Sequence, residues 1–328
     1  MLMKKYRLSD HVRLYHFEED GIKHSVTLRQ IVALIDFSDV KAGSEGGWLD
    51  DEAALSQGGD CWIYDANSVV FAGARVDDNA RLTGTCVISH GATISDNAWL
   101  DNVEVSHGAR ISDNVTIKQS QIRGVCRIAD QARILPHCLV IAAQGLTSDI
   151  DKVLQIYQRA TVSASRIVHQ AQIYGDAVVE HAFVEHRAEV FDNARIEGNE
   201  NNDVWICDNA RVYDRARLVA GRGEDQIPTL RYSSQVGENA VVEGNCLLKH
   251  RVMVGGHAHL LGGPILLDDE VLIEGHTTIR GDVIIEHQVE ICGNACIEAL
   301  EGDRIHLRGR KIVSGDEHIT RTPLLGSL

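Results

Sequence analysis

A six-residue spacing of aliphatic side chains constrains the fold of this chain more than any other feature of its sequence. Residues 88–98 read ISHGATISDNA and residues 105–115 read VSHGARISDNV, so the chain nearly repeats itself after seventeen residues. Within each copy Val or Ile recurs every six residues, a period that fits neither a helix of 3.6 residues per turn nor a long alternating strand. The pattern therefore predicts short strands separated by corners.

The hexads continue along most of the chain. A small residue, usually Ala or Cys, follows most of the aliphatic positions after four residues, and Asp-Asn or His-Gly pairs fall between them, where a corner needs left-handed backbone. The first run of aliphatic positions is Val70, Val76, Leu82, Ile88, Ile94, Leu100, Val105, Ile111, Ile117, Ile122, Ile128 and Ile134. Sides of six, six and five residues make one triangular coil, which predicts an all-β parallel β-helix with coils about 4.8 Å apart.

The hexads that contain Asp-Asn-Ala carry a family resemblance. ISDNAW (94–99), FDNARI (191–196) and CDNARV (207–212) resemble the repeats of hexapeptide-repeat proteins, and the chain looks like the uncharacterised bacterial YdcK-type members of that family. The resemblance implies a left-handed coil. We therefore predict an N-terminal hairpin cap over 1–45, a left-handed parallel β-helix over 46–297 and a C-terminal cap over 298–328.

Composition narrows the partners and the compartment. With 47 acidic and 32 basic residues the formal net charge is −15, which disfavours nucleic acid and anionic membranes as partners. The longest apolar run, 138–143, is too short to cross a bilayer, so we expect a cytoplasmic protein. The eight cysteines lack paired CxxC spacing and are predicted to be buried free thiols.

Three departures from the repeat indicate where chemistry resides. We name the sides A, B and C after Ile88, Ile94 and Leu100. Loops are predicted within 139–161, at 197–205 and at 219–235, all leaving from side C. Because coils supply stability while loops supply function, this shared edge is the predicted binding surface.

The family resemblance implies an acyl-CoA-dependent acyltransferase, most simply an acetyltransferase, with acetyl-CoA or another acyl-CoA as co-substrate. Such enzymes use a loop-edge histidine as general base on the hydroxyl or amine of a small-molecule acceptor. His181 is the first candidate for that base, and His186 and His250 are the second choices. His181 and His250 are predicted to lie at the corner after side C, on either side of the loops. Arg222 is the candidate ligand for the phosphates of CoA.

Loop carboxylates could orient an imidazole or an acceptor amine, and the candidates are Glu200, Asp203, Glu224 and Asp225. The remaining corner histidines His90, His107 and His169 are interpreted as solvated corner residues.

Two other functions stay open. The regular hexads favour a rigid scaffold or interaction protein. The spacing of His181 and His186 is similar to that of the zinc histidines of γ-class carbonic anhydrases, but no third ligand is evident and we expect no metal.

We also expect a homo-oligomer, with a trimer as the first expectation and a dimer as the second. Tyr174, Phe191 and Tyr213 form a predicted outward column that either stacks along the strands or contacts another subunit.

Overall fold

The computed structural model describes residues 4–19, 21–143 and 153–322 of the chain. These residues form two compact units. The first contains the residues up to Ala143 together with Val153–Gln158, and the second begins at Arg159. Both units consist mostly of short strands, and the described residues include a single 3₁₀ turn, Glu52–Ala54, as their helical element.

The first unit contains the strands β1 Tyr6–Glu19, β2 Ile22–Ala33, β3 Glu45–Leu49, β4 Trp62–Ile63, β5 Val69–Val70, β6 Arg75–Val76, β7 Arg81–Thr83, β8 Val87–Ile88, β9 Thr93–Ile94, β10 Trp99–Asp101, β11 Glu104–Ser106, β12 Arg110–Ile111, β13 Thr116–Lys118, β14 Gln121–Arg123, β15 Cys126–Ile128, β16 Arg133–Ile134, β17 Leu139–Ile141 and β18 Leu154–Ile156.

The second unit contains the strands β19 Thr161–Ser163, β20 Arg166–Val168, β21 Gln172–Ile173, β22 Val178–Glu180, β23 Ala182–Val184, β24 Glu189–Val190, β25 Arg195–Glu197, β26 Val204–Ile206, β27 Arg211–Val212, β28 Arg217–Val219, β29 Thr229–Leu230, β30 Gln235–Val236, β31 Val241–Leu248, β32 Met253–Val254, β33 His259–Asp268, β34 Leu272–Ile273, β35 Thr278–Arg280, β36 Val283–Glu286, β37 Val289–Ile291, β38 Cys296–Glu298, β39 Ile305–Arg308, β40 Lys311–Val313 and β41 His318–Ile319.

The strands of the first unit stack in three parallel columns, which confirms the predicted β-solenoid. Val105 of β11 pairs with Ile88 on one side and with Ile122 on the other. On side B, Ile111 stands in the same way between Ile94 and Ile128. Each strand therefore pairs with the strand one coil away, and the seventeen-residue near-copy is one turn of the solenoid. The left-handed sense of that turn stays a prediction from the family resemblance.

The predicted core lies where the hexads put it. Val105, Ile111, Ile117, Ala109 and Val115 are all 0–1% exposed. Small residues at the corners leave room for the aliphatic side chains of three sides to meet on the axis. The cysteines follow the same rule, because six of the eight free thiols are buried and two are half-buried, and burial raises the pKa of Cys126, Cys207 and Cys246 to about 12.

The corners after side B are built from aspartates in left-handed backbone. Asp96 has φ 56° and Asp113 has φ 63°. Each carboxylate accepts a hydrogen bond from a backbone N–H one coil further on, as Asp96 does from Asp113 at 3.1 Å. Since Asp tolerates the left-handed region and can accept such a bond, the Asp-Asn pairs specify these corners.

The predicted N-terminal hairpin lies against the outer surface of side A in the first unit. Strands β1 and β2 are antiparallel, with Tyr15 opposite Val26. The aromatic rings of Tyr15 and Phe17 pack on Phe71, with ring centroids 5.4 and 5.0 Å apart. These contacts cover the aliphatic residues that side A points outward, so the hairpin gives this unit a second, outer apolar layer.

The second unit has the same three parallel columns, but one strand falls inside a predicted loop. Leu230 of β29 continues side A and pairs with Ile206 and with Leu248. Val236 therefore belongs to side B, opposite Val212, and the side labels deduced from the sequence after residue 219 are wrong by one side. The loop itself is shorter than predicted and occupies residues 220–228.

Two further segments differ from the simple pattern. The insertion within 139–161 lies between β17, which pairs on side A, and β18, which pairs on side B, so its assignment to side C is wrong. Residues 144–152 of that insertion lie outside the described residues. Near the other end, parallel pairing continues into the range expected as a cap, with Leu307 opposite Ile285 and Ile319 opposite Ile297. None of the helices described here is long and apolar enough to cross a membrane.

Candidate functional site

The outer surface of side A in the second unit forms a cleft. Because strand residues alternate in direction, the residue before each buried side-A aliphatic points outward. The parallel register aligns Arg166 with Phe183, Phe183 with Trp205, and Trp205 with Thr229. The resulting side-A cleft has a volume of about 460 Å³ and is lined by Arg166, Phe183, Asp203, Trp205, Asp225, Ile227, Thr229, Arg231, Asn245 and Leu247.

Two predicted loops make the wall of this cleft, and asparagine side chains hold them together. Asn202, which is 5% exposed, donates hydrogen bonds to the carbonyl oxygens of Gly221 and Gly223 at 2.7 and 2.8 Å. Asn199 donates to the carbonyl oxygens of Ala220 and Gly221 at 3.2 and 3.0 Å. The loop that follows β25 and the loop that follows β28 therefore form one connected wall.

Aromatic rings and guanidinium groups form the floor of the cleft. The rings of Phe183 and Trp205 are nearly parallel, 6.3 Å apart. The guanidinium of Arg166 lies 5.2 Å from the Phe183 ring centroid, and that of Arg231 lies 5.4 Å from the Trp205 ring. Trp205 is held in place because its Nε1 donates a hydrogen bond to Glu185 at 2.8 Å. The floor therefore offers flat apolar surface next to two permanent positive charges.

His181 lies at the corner between β22 and β23, beside this wall. Its imidazole Nδ1 is 3.9 Å from a carboxylate oxygen of Asp203, which also lines the cleft. The backbone of the loop passes directly over the corner, since a Cβ on Gly198 would lie 1.9 Å from the carbonyl oxygen of His181. The imidazole is 26% exposed, so a partly enclosed histidine side chain lies next to a carboxylate at the edge of the cleft.

His186 lies at the other end of β23, at the corner after side A. Its ring stacks on that of His169 with centroids 4.8 Å apart. Its Nδ1 is buried, has no hydrogen-bond partner among the described residues, and lies 3.5 Å from Asp208. Burial, and then the neighbouring His186, lower the pKa of His169, while Glu185 acts in the opposite direction. His169 is thus a half-buried corner residue that belongs to a stacked pair.

The structure separates His250 from His181. Leu248 is a side-A residue, so His250 lies at the corner after side A, and its predicted position at the corner after side C is wrong. The error follows from counting Val236 instead of Leu230 as the next aliphatic position. His250 stacks on Tyr232 with ring centroids 4.4 Å apart, and its Nδ1 hydrogen-bonds Asp268.

The loop residues chosen from the sequence divide into two groups. Asp203 and Asp225 line the cleft, whereas Glu200, Glu224 and Arg222 are exposed and do not line it. The cations of the cleft are Arg166 and Arg231, which the sequence analysis missed. The available signal was the outward residue directly before or after each side-A aliphatic, as in Arg166-Ile167 and Leu230-Arg231.

Three groups of described side chains have the composition of a metal site. They are Glu19 with His90 and His107, Glu185 with His169 and His186, and Cys296 with Glu298 and His318, each with ligand atoms within 4.8 Å of one another. The pair weighed from the sequence, His181 and His186, does not fall in one group, because β23 separates the two residues.

The predicted aromatic column is present on side B of the second unit. Tyr174 stacks on Phe191 at 4.9 Å, and Phe191 stacks on Tyr213 at 5.4 Å. The ring of Tyr213 continues over the next coil, where a Cβ on Gly237 would lie 2.4 Å from it. The three rings therefore form a continuous half-buried stripe along the strands.

Comparison with known proteins points to one family. A family model described as the YdcK beta solenoid repeat matches residues 109–124, 154–170 and 171–187. The chain is 58% identical over 326 residues to a protein of Escherichia coli (strain K12) named "Uncharacterized acetyltransferase YdcK". That alignment covers 99% of this chain and 100% of the relative.

Proposed function

Because the chain belongs to the YdcK family of β-solenoid proteins, we propose that it is an acyl-CoA-dependent acyltransferase, in the simplest case an acetyltransferase. The transfer takes place at the side-A cleft. The observation that carries the proposal is the position of His181 and Asp203, a histidine and a carboxylate at the edge of a cleft that has apolar and cationic lining. The name given to the E. coli relative supports the same reaction class.

His181 is the proposed general base. Acyl transfer to a hydroxyl or an amine requires removal of a proton from the acceptor as it attacks the thioester carbonyl; the carbonyl–sulfur bond then breaks, and the departing CoA thiolate takes up a proton from the imidazolium. A carboxylate near one ring nitrogen favours the tautomer in which the other nitrogen can accept that proton, and it stabilises the imidazolium that forms. Asp203 is the proposed partner, since its separation of 3.9 Å from Nδ1 needs only a small side-chain movement to become a hydrogen bond.

Arg166 and Arg231 are the proposed contacts for the phosphates of acyl-CoA, in place of Arg222. Both guanidinium groups line the cleft and are oriented by neighbouring rings. The flat rings of Phe183 and Trp205 suit the uncharged portion of the donor. Asp203 and Asp225 leave the rim of the cleft negative, which suits an acceptor that carries an amine.

The proposal includes self-association, with a trimer as the preferred oligomer and a dimer as the alternative. The stripe of Tyr174, Phe191 and Tyr213 is the proposed contact, because a continuous aromatic surface on an acidic protein favours burial against a partner. Light scattering at micromolar concentration tests it, and a monomeric mass would exclude both oligomers.

The function is tested in two steps. In the first, acetyl-CoA and CoA should raise the melting temperature of the full chain, since a ligand of the native state stabilises it. In the second, release of free CoA is followed with a panel of amine and hydroxyl acceptors. His181→Ala should lower turnover by roughly two to four orders of magnitude, and Asp203→Asn should lower it less, while CoA affinity is unchanged in both.

The matched control is His257→Ala, because His257 is an exposed histidine of the second unit that lies outside the cleft. Unaltered turnover in His181→Ala would assign the base to another residue. Failure of acetyl-CoA and CoA to shift the melting curve of the unmodified chain would favour the scaffold function.

A further inference from the structure

Three ionisable side chains from distant parts of the first unit converge at one corner. Glu19 is the last residue of β1 in the hairpin, and His90 and His107 occupy equivalent corners after side A on successive coils. One carboxylate oxygen of Glu19 lies 3.2 Å from Nε2 of His90, and the other lies 3.1 Å from Nε2 of His107. The two imidazole rings are stacked 4.8 Å apart.

Serine hydroxyls hold the other nitrogen of each ring. Ser89 Oγ lies 2.8 Å from Nδ1 of His90, and Ser106 Oγ lies 2.8 Å from Nδ1 of His107. An ionised carboxylate only accepts hydrogen bonds, so the Glu19 contacts place the ring protons on Nε2 and make Nδ1 the acceptor of the serine O–H. The hydroxyl can also accept, so each ring can move its proton to Nδ1 without losing this partner.

We propose that Glu19, His90 and His107 form a binding site for a divalent transition metal, with Zn²⁺ as its simplest occupant. The ligand atoms are Nε2 of both histidines and a carboxylate oxygen of Glu19. Two imidazoles and one carboxylate form an established zinc donor set that leaves a fourth position open. When the metal binds, each ring proton moves from Nε2 to Nδ1, and the Nδ1–H then donates a hydrogen bond to the serine oxygen, so the number of protons on the protein is unchanged.

The distances suit this role. Ligands about 2.0–2.1 Å from a tetrahedral ion are themselves about 3.3 Å apart, and both nitrogen–oxygen separations to Glu19 are already close to that value. The remaining adjustment is a tilt of the two stacked rings that brings their Nε2 atoms together. Ser89 and Ser106, which are 4% and 5% exposed, act as the outer partners that orient the ligating rings.

Apolar rings shield one side of the site. Phe17 of the hairpin and Phe71 of the solenoid both meet the ring of His90 edge-on, at 5.7 and 5.9 Å. A metal here would join the hairpin tip to two successive coils, and this bridging predicts a stabilising role for the ion that does not depend on the reaction at the side-A cleft.

Zn²⁺ alone is the probe. The full chain is treated with chelator, and ZnCl₂ binding is measured by calorimetry, with Co²⁺ absorption as a report of the coordination geometry. We expect one high-affinity Zn²⁺ per chain and a higher melting temperature in its presence. His90→Asn and His107→Asn should each weaken binding by about 100-fold or more, and Glu19→Gln by about tenfold or more. Asn is chosen because both corners have positive φ, 50° and 60°, which Asn tolerates.

The matched control is the double variant His169→Asn/His186→Asn, which removes a pair of the same stacking distance and positive φ in the second unit. It should bind Zn²⁺ as the unmodified chain does. Absence of saturable Zn²⁺ binding, or equal binding by the Glu19→Gln/His90→Asn/His107→Asn triple variant, would overturn the proposal. If a histidine variant does not fold, Glu19→Gln alone decides, because Glu19 lies at the end of β1 and outside the solenoid core.

Discussion

The outer surface of side A differs between the two units, although the strands beneath it follow the same rule. In the first unit, Tyr15 and Phe17 of the hairpin cover this surface, and Glu19 reaches the stacked imidazoles of His90 and His107. In the second unit, Phe183 and Trp205 line an open cleft. The comparison teaches that the two units share the same buried core, and that the segments outside this core decide whether the outer surface of side A is covered or forms an open cleft.

The stacked histidine pairs show the same contrast in detail. Both pairs have ring centroids 4.8 Å apart. His90 and His107 have a serine on one nitrogen and the hairpin carboxylate on the other, and hydrogen bonding to His107 is the main cause of the lowered pKa of Glu19. In the second pair, Nδ1 of His169 accepts a hydrogen bond from the backbone N–H of His186 at 3.3 Å, and Glu185 already accepts from Trp205. Glu19 thus contacts both rings of the first pair, whereas Asp208 lies beside the His186 ring of the second pair.

The largest expected effect tests whether the buried cores of the two units are equally sensitive to a charge. Ile111→Asp in the first unit and Val190→Asp in the second each introduce an unpaired charge on a residue that is 0–1% exposed. Each should destabilise its unit by about 4 kcal/mol or more, because a buried charge lacks compensation. Thermal unfolding measures this. The controls are Arg110→Asp, at the exposed residue next to Ile111, and Arg195→Asp, at an exposed strand residue of the second unit. If only one of the two buried substitutions is tolerated, the buried cores of the two units are not equivalent.

An intermediate effect separates a covering ring from a binding ring. Phe17→Ala removes a half-buried ring that packs on Phe71, and we expect a loss of about 1–2 kcal/mol in stability, part of what a fully buried ring would give. Phe183→Ala should leave the melting temperature nearly unchanged but weaken the effect of acetyl-CoA on it, because this ring faces the cleft. If Phe17→Ala and Phe183→Ala lower the stability by the same amount, the two rings do not differ in the way that this comparison expects.

The smallest expected effect concerns pH. Because burial lowers the pKa of His169 in the folded chain, the unfolded chain binds a proton first as the pH falls below about 6.5. This histidine therefore reduces stability as the pH decreases through that value towards its folded pKa. The difference in melting temperature between the unmodified chain and His169→Asn should grow between about pH 7.5 and pH 5.5 in favour of the variant. A constant difference would contradict this account of the pair.

The candidate site was predicted in part. The two later loops were identified from the sequence because they interrupt a strict period, and Asp203 and Asp225 from those loops line the cleft. Arg166, Phe183, Trp205 and Arg231 were missed, since an outward residue on one strand has no period of its own. They line one cleft only because the parallel register aligns positions seventeen or more residues apart.

The sequence by itself determined the solenoid, its core and most of its corners, because each hexad repeats the same local choice of aliphatic, small and left-handed residues. Even Leu230 obeys the hexad rule once Val236 is placed on side B. What covers the outer surfaces was decided only by the tertiary structure. The contact between Glu19 and His107 joins residues 88 positions apart, and the asparagine bonds between the two loops depend on how both insertions fold back over side A. Such contacts occur once in the molecule and do not recur with the hexad period, so no periodic pattern in the sequence predicts them.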